Sequence, residues 1–256
     1  MKIVISPAKN LDYKTDTSSY ETTECSFLNE SEKLIKKLKK LNPEAISNLM
    51  KISPALGELN YDRYQLWERP FDSNLSKQAI FAFNGEVYNG FSAKTLSKEE
   101  LNTSQNKLRI LSGLYGILKP LDNILPYRLE MGTRFATTPK VTNLYKFWGD
   151  KLTNHLNQEM NDSSEKALIN LASNEYFKSL NPKKLDATIY TPIFKDNSNG
   201  QYKTIMMYAK KARGMMARFI IENNLNNPEE IKAFDTGGYA FNPQLSKENE
   251  WVFTRG

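Results

Sequence analysis

Short apolar runs alternate irregularly with helical patterns along the 256-residue chain, and this alternation constrains the fold more than any other feature. Strands are predicted at 2–5, 78–83, 167–172, 187–194, 202–209 and near 251–253. Helices are predicted at 31–40, 97–108, 143–160, 174–180 and 211–224. Because no regular βαβ repeat occurs and the turn at 196–200 predicts a hairpin, we expect an α+β fold: a mixed sheet with surrounding helices in a single compact domain, 1–256.

Two short helices joined by a tight turn are predicted between residues 42 and 64. Asn42-Pro43 and Ser53-Pro54 each combine a favourable N-cap with a proline suited to the first helical position. Such a pair can present backbone amides to DNA phosphates without reading bases. Short helix pairs are also common in protein cores, and the turn Lys51-Ile52-Ser53 lacks the glycine usually expected there.

The chain contains a single histidine, His155, and a single cysteine, Cys25. This inventory excludes a Cys/His zinc site, an iron–sulfur cluster and a two-cysteine redox couple within one chain. His155 falls on an amphipathic helical pattern and is expected at the surface, and no cation adjoins Cys25 to activate its thiol. The motifs GxxxxGK[ST] and GxGxxG and paired carboxylates with metal spacing are absent, so we predict no metal and no cofactor.

The first apolar run is only three residues long, Ile3-Val4-Ile5, and ends at a serine and a proline. It is too short for a signal peptide, and no window approaches the roughly 18 apolar residues that a membrane span needs. One cysteine cannot form an intramolecular disulfide. The expected location is therefore the cytoplasm, with no membrane partner.

The densest basic segment is 210–218, within a chain whose 35 Lys and Arg exceed its 29 Asp and Glu by six. The prediction places Lys210 at a strand end, beside the amides of the next helix, with Lys211 and Arg218 sharing one helix face. Cationic side chains beside free N–H groups suit a phosphate. The alternative is a solvated helix face, which opposes the helix macrodipole at a small cost.

Further candidate residues follow the predicted strand ends at 6–12 and 170–178, where sheet proteins place sites, although helix capping alone would explain Ser173. In 126–132, Arg128 and Glu130 stand among large apolar residues, and buried charges must be paired. The candidate nucleic-acid contacts are Lys9, Lys51, Ser53, Arg128, Lys178, Lys210, Lys211, Arg213 and Arg218. The candidate polar residues of a cleft are Ser6, Asn84, Glu130, Asn170, Ser173 and Glu175.

Five segments resemble, in chain order, the YaaA family of bacterial peroxide-stress proteins. They are SPAKNLD at 6–12, LRILSGLYG at 108–116, PYRLEMG at 126–132, NLAS at 170–173 and AKKARG at 209–214. The resemblance implies a cytosolic single-domain protein of unusual α+β fold that helps cells survive hydrogen peroxide. It also implies binding of double-stranded and branched DNA through a positive cleft and a helix-hairpin-helix element, which maps to 42–64. A link to recombination repair and to lowering harmful iron comes with the family, but no established reaction.

Two classes of function stay open at this point, with DNA binding favoured over catalysis. A non-catalytic, sequence-tolerant DNA-binding protein acting after oxidative damage would lose affinity steeply with salt. An enzyme acting on a nucleic acid or a phosphorylated small molecule would instead use Lys9, Arg128, Glu130, Lys210 and Arg213. An open groove about 20 Å wide favours the first, and a closed ligand-sized pocket favours the second.

A third interpretation is an iron-handling or regulatory partner protein. The scarcity of Cys and His argues against peroxidase chemistry and against iron capture by soft ligands, while a carboxylate site stays possible.

Overall fold

The computed structural model describes residues 1–161 and 166–256. The strands in these ranges are β1 Lys2–Ile5, β2 Asn10–Leu11, β3 Lys77–Gln78, β4 Phe83–Asn84, β5 Leu108–Ser112, β6 Gly116–Leu118, β7 Asn123–Ile124, β8 Ala167–Leu171, β9 Thr188–Ser198, β10 Gln201–Lys203, β11 Ala240–Phe241 and β12 Glu250–Arg255. The α-helices are α1 Leu28–Leu38, α2 Pro43–Met50, α3 Pro54–Leu66, α4 Ala79–Ala82, α5 Glu86–Phe91, α6 Lys98–Lys107, α7 Leu144–Trp148, α8 Lys151–Met160, α9 Asn174–Phe177 and α10 Met206–Glu222. Short 3-10 helices occupy Ala93–Thr95, Pro182–Lys184, Pro228–Ala233 and Thr236–Gly238.

The main sheet is mixed, which confirms the predicted α+β class. Its strands run in the order β11-β12-β9-β8-β1-β5-β6, and β10 pairs with β9 outside this path. β1 lies between β5 and β8 and is parallel to both, and β9 and β12 continue the parallel set. The carboxyl ends of these parallel strands therefore meet at one edge, where α/β sheets bind ligands.

The central strands are apolar because both faces of the sheet are covered. Ile3, Val4 and Ile5 are completely buried, as are Leu168 and Leu171 in β8. Such continuous apolar runs are typical of parallel strands with helices on both faces. The buried core joins all these strands to the helices around them in one contiguous cluster.

The hairpin predicted at 196–200 is confirmed. β9 and β10 pair antiparallel around Asn199 and Gly200, whose φ angles are 55° and 79°. Two successive positive φ angles define the type I′ turn that Asn-Gly favours. The capping box predicted at the start of α6 is also present, because Ser97 and Glu100 bond each other's backbone N–H groups.

Three predicted elements are wrong in detail. The apolar run at 78–83 contains a single helical turn, α4, rather than a strand, because buried apolar runs of this length do not distinguish the two. The predicted strand at 202–209 stops at Lys203, and α10 begins at Met206. The predicted helix at 143–160 is two helices, broken at Gly149, whose φ is +50°.

Helix α10 crosses α5 at a close contact between two glycines. A Cβ atom on Gly214 would lie 1.8 Å from the carbonyl oxygen of Val87. A Cβ atom on Gly90 would lie 2.1 Å from the carbonyl oxygen of Lys211. Only hydrogen fits at these two positions, so the glycines set the distance between the helices.

The amino edge of the sheet carries a buried ion-pair network. Arg109 and Glu159 form a two-fold salt bridge, with Nε–Oε2 and Nη2–Oε1 distances of 2.7 and 2.8 Å. The Nζ of Lys2 lies 3.9 Å from Glu159, and His155, which packs against Phe27 rather than lying fully exposed, is 3.6 Å from it. Burial raises the pKa of Glu159, but contacts with His155, Arg109 and Lys2 outweigh burial and hold it well below its ordinary value.

Candidate nucleic-acid interface

The carboxyl ends of β1 and β8 are joined through two serines. The backbone N–H of Ser173 donates to the Oγ of Ser6 at 2.8 Å, and the two hydroxyl oxygens are 3.2 Å apart. The hydroxyl of Tyr88 donates to the carbonyl of Ser6 at 3.0 Å. The predicted loops at 6–12 and 170–178 therefore meet at the same edge, as parallel strand ends must.

Lys9, Arg128 and Glu130 form a charged triad at this edge. The Nζ of Lys9 is 2.8 Å from Glu130 Oε2, and an Arg128 terminal nitrogen is 2.9 Å from Glu130 Oε1. Lys9 is largely exposed, whereas Arg128 and Glu130 are mostly buried. The expectation that the charges in 126–132 must be paired is met, because one carboxylate serves two cations.

Arg128 is bonded through its backbone carbonyl as well as through its guanidinium group. Its backbone carbonyl accepts a hydrogen bond from the hydroxyl of Tyr64 in α3. Its Nε is buried and has no hydrogen-bond partner within the described residues. The helix pair and the 126–132 segment are thus connected directly, and one guanidinium N–H is left over at their junction.

The predicted helix pair is present, as α2 and α3. Asn42 accepts a hydrogen bond from the N–H of Ala45 at 2.8 Å, and Ser53 caps the second helix. Lys51, in the turn, has φ +54°. The glycine that the turn lacks stands instead in α3, where a Cβ on Gly57 would lie 2.0 Å from a side-chain oxygen of α2. This close packing fixes the turn relative to both helices.

A cleft of about 420 Å³ lies between this turn and the charged segment. This space alone is called the cleft below. Its lining residues are Leu49, Met50, Lys51, Glu130, Gly132, Thr133, Arg134 and Glu175. The side chain of Glu175 already makes a hydrogen bond within the protein, because its Oε1 accepts the backbone N–H of Gly132 at 2.9 Å.

The lining of the cleft carries two cations, Lys51 and Arg134, and two carboxylates, Glu130 and Glu175. The side chains of Lys51 and Arg134 have no hydrogen-bond or ion-pair partner in the described part of the chain. Both carboxylates are already bonded, Glu130 to Lys9 and Arg128, and Glu175 to the N–H of Gly132. The two charges of the lining that are unpaired among the described residues are therefore positive and favour an anion. Sequence reasoning missed Arg134, which lies two residues beyond the 126–132 motif that drew attention to its neighbours.

The predicted basic cluster at 210–218 lies on α10, and none of its residues lines the cleft. Lys210 stands inside the helix, not at a strand end, and is exposed together with Lys211. Burial lowers the pKa of Arg213. Arg218 donates to the carbonyls of Phe91 and Ser92, where it satisfies the end of α5.

Three further candidates, Asn170, Lys178 and Asn84, do not line the cleft. Asn170 is buried and its side chain accepts the N–H of Ala172 at 3.1 Å, an ordinary turn contact. Lys178 is exposed at the end of α9. Asn84 lines a second cavity, of about 280 Å³, together with Asp12 and Lys94.

The state of the thiol and the grouping of metal-ligating side chains bear on redox and metal chemistry. Cys25 is buried, and burial raises the pKa of its thiol. No cluster of three or more His, Cys, Asp or Glu able to hold a metal occurs within 1–161 and 166–256. In the same ranges, no helix has both the length and the apolar character needed to cross a membrane.

The fold and the site define a basic α+β protein with a cleft, lined by two cations and two carboxylates, at the carboxyl edge of a mixed sheet. The chain belongs to the peroxide stress protein YaaA family, whose model matches residues 1–245. Its relatives include UPF0246 proteins of Hahella chejuensis, Teredinibacter turnerae and Idiomarina loihiensis. They are 51%, 52% and 49% identical over 255 residues, covering 100% of this chain and 98–99% of each relative. This membership supports a role in oxidative stress.

Proposed function

We propose that the chain binds DNA with little sequence specificity through the cleft during peroxide stress, in support of DNA repair. The observation that carries this proposal is the convergence of four cations at one edge of the sheet: Lys51 and Arg134 line the cleft, while Lys9 and Arg128 meet at Glu130. Lysine and arginine at such an edge are suited to phosphate oxygens. Contacts of this kind carry no base information, so sequence tolerance follows from the chemistry.

The helix pair supports the same proposal as a candidate helix-hairpin-helix element. Its turn places Lys51 on the wall of the cleft, and the caps at Asn42 and Ser53 keep both helix starts in place. A duplex or a branched DNA could contact this turn and the opposite wall at Arg134 together. A cytoplasmic location, recombination-repair partners and protection from iron-driven damage belong to this proposal as its cellular setting.

The test is a titration of a fluorescently labelled 20-base-pair duplex at several salt concentrations, read by anisotropy. For a K51A/R134A variant we expect weaker binding to every DNA sequence tried. The slope of log affinity against log salt concentration should become shallower by the equivalent of roughly two phosphate contacts. The matched control is K98A/K247A, which removes the same charge from exposed sites on other surfaces. Equal slopes for the two variants, or no duplex binding by the unaltered protein, would contradict the proposal.

Glu130 should weaken DNA binding, because its carboxylate occupies the two cations that a phosphate would otherwise contact. We expect E130Q to raise the affinity for the same duplex by about three- to tenfold at low salt, in line with freeing one partner of an ion pair. The gain should shrink as salt rises. A weaker complex at low salt, with unchanged thermal stability, would contradict this role.

An enzyme acting on a nucleic acid or a phosphorylated small molecule is the second candidate. The volume of the cleft favours it, because about 420 Å³ lies within the range of small-ligand sites. Ser6 and Ser173 supply hydroxyl groups at the same edge. DNA recovered from the titration distinguishes the two: intact strands support binding alone, whereas cleaved or modified strands support the enzyme.

A further inference from the structure

Four large apolar side chains are exposed between residues 202 and 208, where β10 leads into α10. Tyr202, Met206, Met207 and Tyr208 are 39%, 61%, 56% and 41% exposed. None of them lines the cleft. Single exposed apolar residues are ordinary, but a contiguous group within seven residues marks an interaction surface. These four residues, with the lysines among and beside them, are called the β10–α10 patch.

The exposed charges of the β10–α10 patch are positive, and the neighbouring Asp196 is buried and paired with Arg255. Lys203, Lys210 and Lys211 are exposed, and in the part of the chain that the structure describes their side chains have no hydrogen-bond or ion-pair partner. The segment from 201 to 221 contains no Asp or Glu at all. A surface that combines free cations with apolar side chains is complementary to a polyanion that also carries apolar groups.

Both tyrosine rings are held in place by Arg255, at the end of β12, and by Gly256, which follows it. The hydroxyl of Tyr202 donates to the carbonyl of Gly256 at 3.0 Å. The guanidinium of Arg255 lies 4.9 Å from the ring centre of Tyr208, and its Nε is 2.7 Å from Asp196 Oδ1. Because the rings are already fixed, binding to them costs little side-chain entropy.

We propose that the β10–α10 patch binds an unpaired nucleic-acid strand, with Tyr202 and Tyr208 stacking on bases and the lysines contacting phosphates. Aromatic platforms with interspersed cations are the usual means of holding single strands, since every base has a face to stack on. This inference rests on the proposed function and extends it. The cleft takes duplex phosphates, and the patch takes the bases of a strand that has left the duplex.

The test compares a labelled 15-residue oligothymidine with the 20-base-pair duplex, both titrated with the full chain. For Y202A/Y208A we expect affinity for the oligothymidine to fall by about tenfold or more, as loss of two stacking platforms requires. Duplex affinity should change less than twofold. The control Y202F/Y208F keeps both stacking rings and loses only the hydroxyl groups, including the bond from Tyr202 to Gly256, so its oligothymidine affinity should fall far less than that of Y202A/Y208A.

The outcomes separate this inference from the proposed function. If duplex binding depends on Lys51 and Arg134 but oligothymidine binding is absent or unchanged in Y202A/Y208A, the patch inference fails alone. If the oligothymidine binds through the tyrosines and the duplex does not bind, the cleft proposal fails instead. Equal loss in the phenylalanine control, or binding to anionic phosphatidylglycerol vesicles with no oligothymidine binding, would overturn the patch as a strand-binding surface.

Discussion

Gly214→Ala is expected to lower the free energy of unfolding by about 3 kcal/mol, the upper end for a substitution that overpacks a close contact. The new Cβ would stand 1.8 Å from the carbonyl oxygen of Val87, a backbone atom that cannot move without displacing α5. Helix propensity alone predicts the opposite sign, because alanine in place of a helical glycine ordinarily stabilises by about 1 kcal/mol. The direction of the change therefore decides between the two effects.

Urea denaturation, followed by circular dichroism, measures the change. Lys211→Ala is the matched control, because it also places alanine in α10, but at an exposed position. The control should change the free energy of unfolding by less than about 0.5 kcal/mol. A stabilised G214A protein would show that α5 and α10 leave room for a methyl group at this crossing.

Glu159→Gln is expected to lower the free energy of unfolding by about 3 to 5 kcal/mol at pH 7, because it leaves a buried guanidinium without its counter-charge. The side chain of Arg109 is only 3% exposed. Its remaining hydrogen bonds, to the carbonyls of Gln105 and Leu108, cannot neutralise the charge. A conservative change at this position should therefore cost more than most surface substitutions.

The same network predicts a pH dependence with a defined sign. The pKa of Glu159 is lower in the folded chain than in the unfolded chain. The ionised carboxylate therefore adds to the free energy of unfolding above about pH 4.5, and this stabilisation is lost as the pH falls below that value. Burial, followed by the charge of Arg109, lowers the pKa of Lys2 to about 8. Between about pH 8 and 10.5 the unfolded chain keeps a proton that the folded chain releases, so stability should rise with pH there.

Urea denaturation from pH 3 to pH 10 tests both parts of this dependence. E159Q should lose much of the acid-side decline, and a Lys2→Met variant should lose the rise above pH 8 while keeping the acid-side decline. A stability curve for E159Q that is parallel to the original at acid pH would contradict the role given to Glu159.

Sequence patterns predicted the elements for which local residue preferences and burial favour the same secondary structure. The buried run at β1, the caps at Asn42 and Ser53, and the Asn-Gly hairpin were all predictable, because each depends on neighbouring residues alone. The start of α10 was not. Tyr202 to Ala209 has the composition of a strand, but from Met206 onward the segment is helical, with Ala209 and Ala212 buried against the core.

The candidate site divides in the same way. The meeting of Ser6 with Ser173, and of Lys9 with Glu130, could be expected once their segments were placed at parallel strand ends. The exposed Arg134 carried no local signal, because a basic residue in a loop looks like solvated surface until the helix pair faces it. Sequence alone also could not show that Arg218 would be occupied by carbonyls of α5.

The charges at the two edges of the parallel strands differ in whether they are paired, and this difference has a practical consequence. The ions at the amino edge are paired with one another, whereas the carboxyl edge holds, beside its paired triad, the side chains of Lys51 and Arg134, which have no partner within the described residues. Substitutions in the ion pairs of the amino edge should shift the melting temperature. Substitutions of Lys51 or Arg134 should weaken ligand binding and leave the melting curve unchanged. A collection of random variants sorted by these two readouts would therefore map the binding surface with a generic duplex as the only probe.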